Sequence, residues 1–321
     1  MLVEITPENI TQIKNPCLAA YASIYQKIER DFFARVRELG LEIDPRDDRA
    51  EAQAKIANVV SKGALQRNDD KSIVVNHISP ACAACQTGLG TATFFISLKC
   101  HRHCFFCFNP NQENYAEFHN QKRDCRRELD DIYRSGARLE HIALTGGEPL
   151  LHRAETIEFF NYAREKFPHA YTRLYTSGDH LDDEWLTALQ RARLDEIRFS
   201  IRMYDSDTAR RHTYDRIALA KAYIPNVMVE MPVLPGTLEE MKQVLMRLDA
   251  LGVFGINLLE FCFPLNNAEI YREKGYHIRH RPYRVVYDYS YAGGLPIAQS
   301  ELECLELVEF APDQKLKLGV H

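Results

Sequence analysis

The chain of 321 residues contains no apolar run long enough to cross a bilayer, so the sequence predicts no membrane span. Near Met1 there is no charged stretch followed by an apolar one, the pattern of a secretory signal. Nor is there an excess of positive charge: the formal charge of −5 gives no support to a nucleic-acid partner. The one local basic run, Arg279-His280-Arg281 with His277 just before it and Pro282 after it, reads as a solvated loop. The nine cysteines are odd in number and clustered, which excludes a disulfide framework and points to the reducing cytoplasm. Composition is otherwise that of a globular protein, long enough for one large domain or two smaller ones with a substantial core.

What the chain does have is the stretch Phe94-Phe95-Ile96-Ser97-Leu98-Lys99 followed by Cys100, Cys104 and Cys107, a C-x3-C-x2-C loop fed by an apolar strand. Three thiols on one short loop are a metal-binding pattern. An iron–sulfur cube held by three protein thiolates leaves one iron open to a small molecule, and an open position is where metal chemistry occurs. A rival reading takes Cys82 and Cys85, then an eighteen-residue gap, then Cys104 and Cys107, as a four-cysteine zinc ribbon, which leaves Cys100 unused. Free buried cysteines are a third reading, set against the crowding of three thiols among His101, Arg102 and His103. Cys82 and Cys85 also invite an auxiliary metal site with Cys125, Cys262 or Cys304 as further ligands; the alternative is a structural pair of thiols.

Before the cysteine loop, apolar residues at helical spacing predict one helix over 18–39, stopped by Gly40, and a second from Asp47 to about Ser61. Beyond Thr93, short apolar strands alternate with amphipathic helices. The strands read as Thr93–Leu98, His141–Thr145, Thr172–Thr176, Glu196–Ile201, Asn226–Val233 and Gly255–Cys262. Thr237 and Glu240 have the spacing of a capping box. Six βα units in a row predict a parallel sheet, open or curled into a barrel, with its site at the carboxyl ends of the strands. Glu230, Asn257 and Glu260 sit inside apolar strands and are expected in a polar interior or on a solvated edge. After Asn267 the pattern breaks. Leu302–Phe310 reads as a strand, Tyr287–Tyr291 as a half-buried strand or a pocket wall, and the apolar ending Leu318-Gly319-Val320 either as a chain that continues or as a strand at the barrel edge.

The cysteine spacing, with Gly146-Gly147-Glu148-Pro149 one βα unit later, resembles the radical S-adenosylmethionine (radical SAM) superfamily, and within it the proteins related to pyruvate formate-lyase activating enzyme. The resemblance spans residues 82–267. It implies an α/β fold, a partial (β/α)6 TIM-type barrel over 81–267, with a helical N-terminal extension over 1–80 and a C-terminal cap over 268–321. It implies a [4Fe-4S] cluster on Cys100, Cys104 and Cys107, with Phe106 near the adenine of S-adenosylmethionine. Gly146, Gly147 and Glu148 are implied at its amino group, Ser177 at the polar position of a strand-end turn that contacts the cofactor, and Ser200 and Arg202 toward its ribose and carboxylate. Here Ser177 stands where the family's turn has Asn, and Ser200 and Arg202 where activating enzymes carry Asp and Lys. The expected reaction is reductive cleavage of S-adenosylmethionine to a 5′-deoxyadenosyl radical. That radical takes hydrogen from a small-molecule or peptide substrate, with flavodoxin or ferredoxin as electron donor. Activation of a partner protein through a glycyl radical is the alternative.

Overall fold

The computed structural model describes residues 9–280 and 294–321, with Ile5 and Pro282. The run Tyr287–Tyr291 lies outside the described residues. Six parallel strands follow one another: β1 (Thr91–Phe95), β2 (His141–Thr145), β3 (Tyr171–Thr176), β4 (Glu196–Phe199), β5 (Asn226–Val233) and β6 (Gly255–Glu260). A seventh, β7 (Gly319–Val320), pairs parallel with β6, so the sheet runs β7-β6-β5-β4-β3-β2-β1. This is the expected α/β partial barrel with one strand more than the six βα units supply.

Helices α1 (Pro16–Glu38), α2 (Arg49–Ser61) and α3 (Pro80–Cys85) precede the sheet, crossover helices cover its outer face, among them α4 (Cys125–Arg134), α5 (Arg153–Lys166), α6 (Asp183–Arg191), α7 (Asp207–Ala220) and α8 (Leu238–Ala250), and α9 (Ser300–Asp313) leads into β7. Strand residues alternate between faces. Leu144, Leu174, Ile197, Val229 and Ile256 join Phe160, Leu186, Ile217 and Leu245 in one buried cluster. The alternate residues Tyr175, Arg198, Glu230 and Asn257 line the barrel interior. Parallel strands place their connecting loops, and hence the cysteine loop after β1, at one end. At α8 the expected capping box is not formed. Thr237 donates to Leu234 O at 2.7 Å instead of capping, and Glu240 takes Arg210 at 2.9 Å.

The N-terminal segment forms α1 (Pro16–Glu38), α2 (Arg49–Ser61) and α3 (Pro80–Cys85). Asn15 caps α1 by accepting from the backbone of Cys17 and Leu18, and Pro16 starts it where no N–H is needed. Gly40 follows α1 with φ +81°, the left-handed conformation a helix stop requires. The stretch expected as a strand, Leu302–Phe310, is instead part of a helix, α9 (Ser300–Asp313). It buries Leu302, Leu305, Leu307, Val308 and Ala311 and ties to α2 through Lys62, whose ammonium meets Glu309 and Asp313. A short apolar run does not distinguish strand from helix by period alone.

One member of the basic run departs from the solvated reading, while His277 is exposed and Arg281 lies outside the described residues. Arg279 is not solvated: it is 7% exposed and pairs with Asp48, with Glu260 and with Glu301, joining α2, β6 and α9. Removing one partner of a buried ionic network leaves the others uncompensated. Arg279→Ala is expected to lower unfolding free energy by about 3–5 kcal/mol in a urea titration, whereas truncating the exposed Arg67 should not change it measurably.

Candidate active site

The second βα turn is pressed directly onto the cysteine loop. Gly147 donates to Ser97 O at 3.0 Å and Glu148 donates to Lys99 O at 2.9 Å. A Cβ on Gly147 would stand 2.1 Å from Lys99 O, and one on Gly146, whose φ is +108°, 2.5 Å from Phe95 Cβ. The two glycines therefore let β1 and β2 hold the cysteine loop at contact distance, a packing reason for them beside ligand approach.

Glu148 is 2% exposed. Its Oε1 accepts from Thr176 Oγ1 at 2.6 Å and from Leu150 N at 3.1 Å, and its Oε2 accepts from Ser177 N at 2.7 Å. It thus clamps the end of β2 to the end of β3. An ionised carboxylate offers about four acceptor sites, so one remains.

The loop is also fixed by charge. Asp179, two residues past Ser177, accepts from Arg102 in a two-pronged pair at 2.6 and 2.6 Å and from His101 at 2.6 Å. Asp205 receives Arg202 Nε at 3.0 Å and lies 3.5 Å from Arg102 Nη1. Burial opposes ionisation of Asp179, but the hydrogen bonds from Arg102 and His101 outweigh it and hold the carboxyl well below the usual carboxylate range. The sequence reading missed this pair; its one signal was an Asp at the end of a strand that already carried a polar turn.

Cys100, Cys104, Cys107, Gly146, Gly147, Glu148, Ser177, Ser200 and Arg202 all line one cavity of about 510 Å³. Phe106 does not. Its ring packs edge-on against Phe105, Tyr204 and Phe261, and it faces a neighbouring cavity that shares Cys107, Thr145, Tyr175 and Glu230 with the first. The three thiols are half-buried, and burial pushes the Cys100 thiol up and that of Cys107 to about 11. Arg202, 4% exposed, has a buried Nη2 that makes no hydrogen bond and whose near acidic oxygen, Asp179 Oδ1, stands 3.9 Å away.

Cys82 and Cys85 lie elsewhere. Their sulfurs accept from Arg198 and Arg173, each at 3.0 Å, and line a third cavity with Cys304. Cys125 donates to Phe95 O and Cys262 to Glu260 O. The ribbon set is thereby split between two cavities. Among the described residues no three His, Cys, Asp or Glu side chains converge as on a single ion; a cube differs in distributing its thiolates over separate irons.

Glu230 and Asn257 face the barrel interior together. Glu230 Oε2 accepts from Arg198 Nη1 at 2.6 Å and from Asn257 Nδ2 at 2.8 Å, and Glu260 lines the same interior against Arg279. Arg198 also pairs with Glu196 and donates to Ser79 and Cys82 of the α3 segment, which floors the barrel.

Comparison with known proteins fits this geometry. Residues 94–248 match the family described as the radical SAM superfamily. That stretch is a radical SAM domain. Members of the superfamily use a [4Fe-4S] cluster and S-adenosylmethionine. A Methanocaldococcus jannaschii protein named as a glycyl-radical enzyme activating enzyme is 28% identical over 207 residues, 61% of this chain and 52% of that protein. A Granulibacter bethesdensis PqqA peptide cyclase is 29% identical over 113 residues, 35% of this chain and 29% of the cyclase. The chain thus spans about half of the first relative and less of the second. Among solved structures, Streptococcus suis SuiB bound to precursor peptide SuiA aligns with a TM-score of 0.43 and 13% identity, over 75% of this chain and 52% of SuiB. No helix among the described residues is long and apolar enough to cross a membrane.

The Arg102–Asp179 pair predicts a pH signature. Because the Asp179 carboxyl is held low in the fold, its stabilisation is complete above the unfolded-state value near pH 4 and is lost as pH falls through the folded value. Asp179→Asn should therefore be less stable than the parent at neutral pH, with a difference that shrinks in denaturation curves taken progressively below about pH 4. A difference that stayed constant down to pH 2 would remove the ion pair from the account.

Proposed function

We propose that Cys100, Cys104 and Cys107 hold a [4Fe-4S] cluster and that S-adenosylmethionine lies across the cavity they share with Gly146–Glu148, Ser177, Ser200 and Arg202. The observation that carries this reading is the convergence of all nine residues on one cavity, with a buried guanidinium nitrogen of Arg202 that makes no hydrogen bond. When bound, the two groups supply reductive cleavage of S-adenosylmethionine to a 5′-deoxyadenosyl radical for hydrogen abstraction from a substrate.

The chain's own residues then have definite tasks. Arg202 presents a free N–H to the cofactor carboxylate, a charge-assisted bond. Glu148 offers its remaining acceptor site to the ammonium while its other bonds hold the turn in place. The Arg102–Asp179 pair keeps the thiol loop from swinging away from the ends of β3 and β4. The aromatic packing of Phe105 on Tyr204, Phe261 and Tyr271 keeps water from that side of the loop. Ferredoxin or flavodoxin would deliver the electron. The name of the Methanocaldococcus relative favours a second reading, in which the substrate is a glycyl segment of a partner protein.

Anaerobic reconstitution is expected to load about four irons and produce a brown chromophore that air bleaches. Replacing Cys100, Cys104 and Cys107 together by Ala should abolish it, and replacing Cys82 and Cys85 should not. Retention of the chromophore in the triple variant, or stoichiometric zinc without iron, would sink the assignment. Loss of iron in the Cys82/Cys85 variant would establish an auxiliary site.

Arg202→Met separates cofactor binding from cluster assembly. It should raise the dissociation constant for S-adenosylmethionine tenfold to a hundredfold at normal iron content, since a charge-assisted bond is worth about 1.5–3 kcal/mol and each 1.4 kcal/mol is about tenfold. Glu148→Ala should weaken cofactor binding too. With three internal donors left unmet, it is also expected to lower stability, which a thermal melt of the apoprotein would register.

A further inference from the structure

Beyond the wall formed by Cys107, Thr145, Tyr175 and Glu230 lies the second cavity, of about 450 Å³. Its body is apolar, with Phe106, Phe108, Pro232, Leu259 and Phe261 among its walls. Its charged groups are Glu230 and Glu260, and no Lys, Arg or His is among its described lining residues. The cations that pair with these carboxylates lie outside that lining: Arg198 meets Glu230, and Arg279 meets Glu260.

Glu230 is the group left unfinished. Both donors that reach it, from Arg198 and Asn257, go to Oε2, and Oε1 accepts from none. Its side chain is 20% exposed, and the residue lines all three interior cavities. That oxygen is open to water and free to accept from a donor that a ligand brings. An anion there would meet like charge. A protonated amine would find an acceptor and aromatic rings that attract a cation, and the volume suits a small ligand or one side chain. The third cavity, about 1120 Å³, shares Tyr175, Glu230, Leu259 and Glu260 with this one and reaches the exposed residues Asn68 and Asp70, giving a way in from solvent.

We propose that this second cavity is the substrate subsite and that it takes a protonated amine carried on an apolar body. The ammonium sits on Glu230 Oε1, the body rests against Phe106 and Phe261, and its C–H bonds face the wall shared with the first cavity. The inference rests on the reading of that first cavity as the S-adenosylmethionine site.

The test is a ligand-observed NMR titration of the full, iron-loaded chain with two probes of similar shape and opposite charge, phenethylamine and 3-phenylpropionate. Phenethylamine is expected to bind at least tenfold more tightly. Glu230→Gln should weaken it tenfold or more and leave 3-phenylpropionate equal or tighter. Leu259→Trp, which adds bulk to the cavity wall and leaves the Glu230 carboxylate in the sequence, should abolish amine binding in a chain that melts like the parent. Equal affinity for the two probes, or unchanged amine binding in folded Leu259→Trp, overturns the proposal. Iron content and S-adenosylmethionine affinity are measured on the same samples. If both are normal and the amine fails to bind, only the subsite is wrong; if either is missing in the parent, the first cavity has been misread.

Discussion

The contact on which the rest of the site depends is the one between the Gly146-Gly147 turn and the backbone of Ser97–Lys99. Nothing larger than hydrogen fits at Gly147, so the distance between the second turn and the cysteine loop is set by main-chain contact. Two backbone hydrogen bonds then fix the register. With that contact in place, Cys100, Cys104 and Cys107 open onto the same space as the ends of β2, β3 and β4. Glu148 extends the constraint to the third strand, and Asp179 carries it back to the loop through Arg102.

The interior below this platform is held by charge rather than by apolar packing. Arg198, 2% exposed, joins Glu196, Glu230, Ser79 and Cys82. A buried ion pair is weak evidence of stability, because desolvation offsets much of the Coulomb gain. What this one does is fix position: it ties the floor helix α3 to β4 and β5 and sets which oxygen of Glu230 remains available. An apolar replacement could fill the same space, but it would present no acceptor to the lumen.

A good part of the fold could be read from local pattern. The six strands after Thr93 were recognisable from their apolar runs and helical intervals, and the observed bounds differ by a few residues at most, as at β1, which begins at Thr91 and ends at Phe95. The cysteine loop and the Gly-Gly-Glu turn were legible because each is contiguous. Leu302–Phe310 was misread because a short apolar run fits both periods, and what decides it is packing against α2, more than 240 residues earlier.

Local chemistry thus sufficed for the six strands of the sheet, for the thiol triplet and for the polar strand residues Glu230, Asn257 and Glu260, since periodicity and the penalty for burying charge act over a few neighbouring positions. Partnership needed the tertiary structure. Only there does Arg279 leave the solvent for Asp48, Glu260 and Glu301, and only there do Phe106 and Cys82 turn away from the first cavity. Each of these outcomes is a pairing between residues far apart in the chain. Such pairings are chosen by which groups the closed sheet brings within hydrogen-bond distance, and spacing along the sequence contains no record of them.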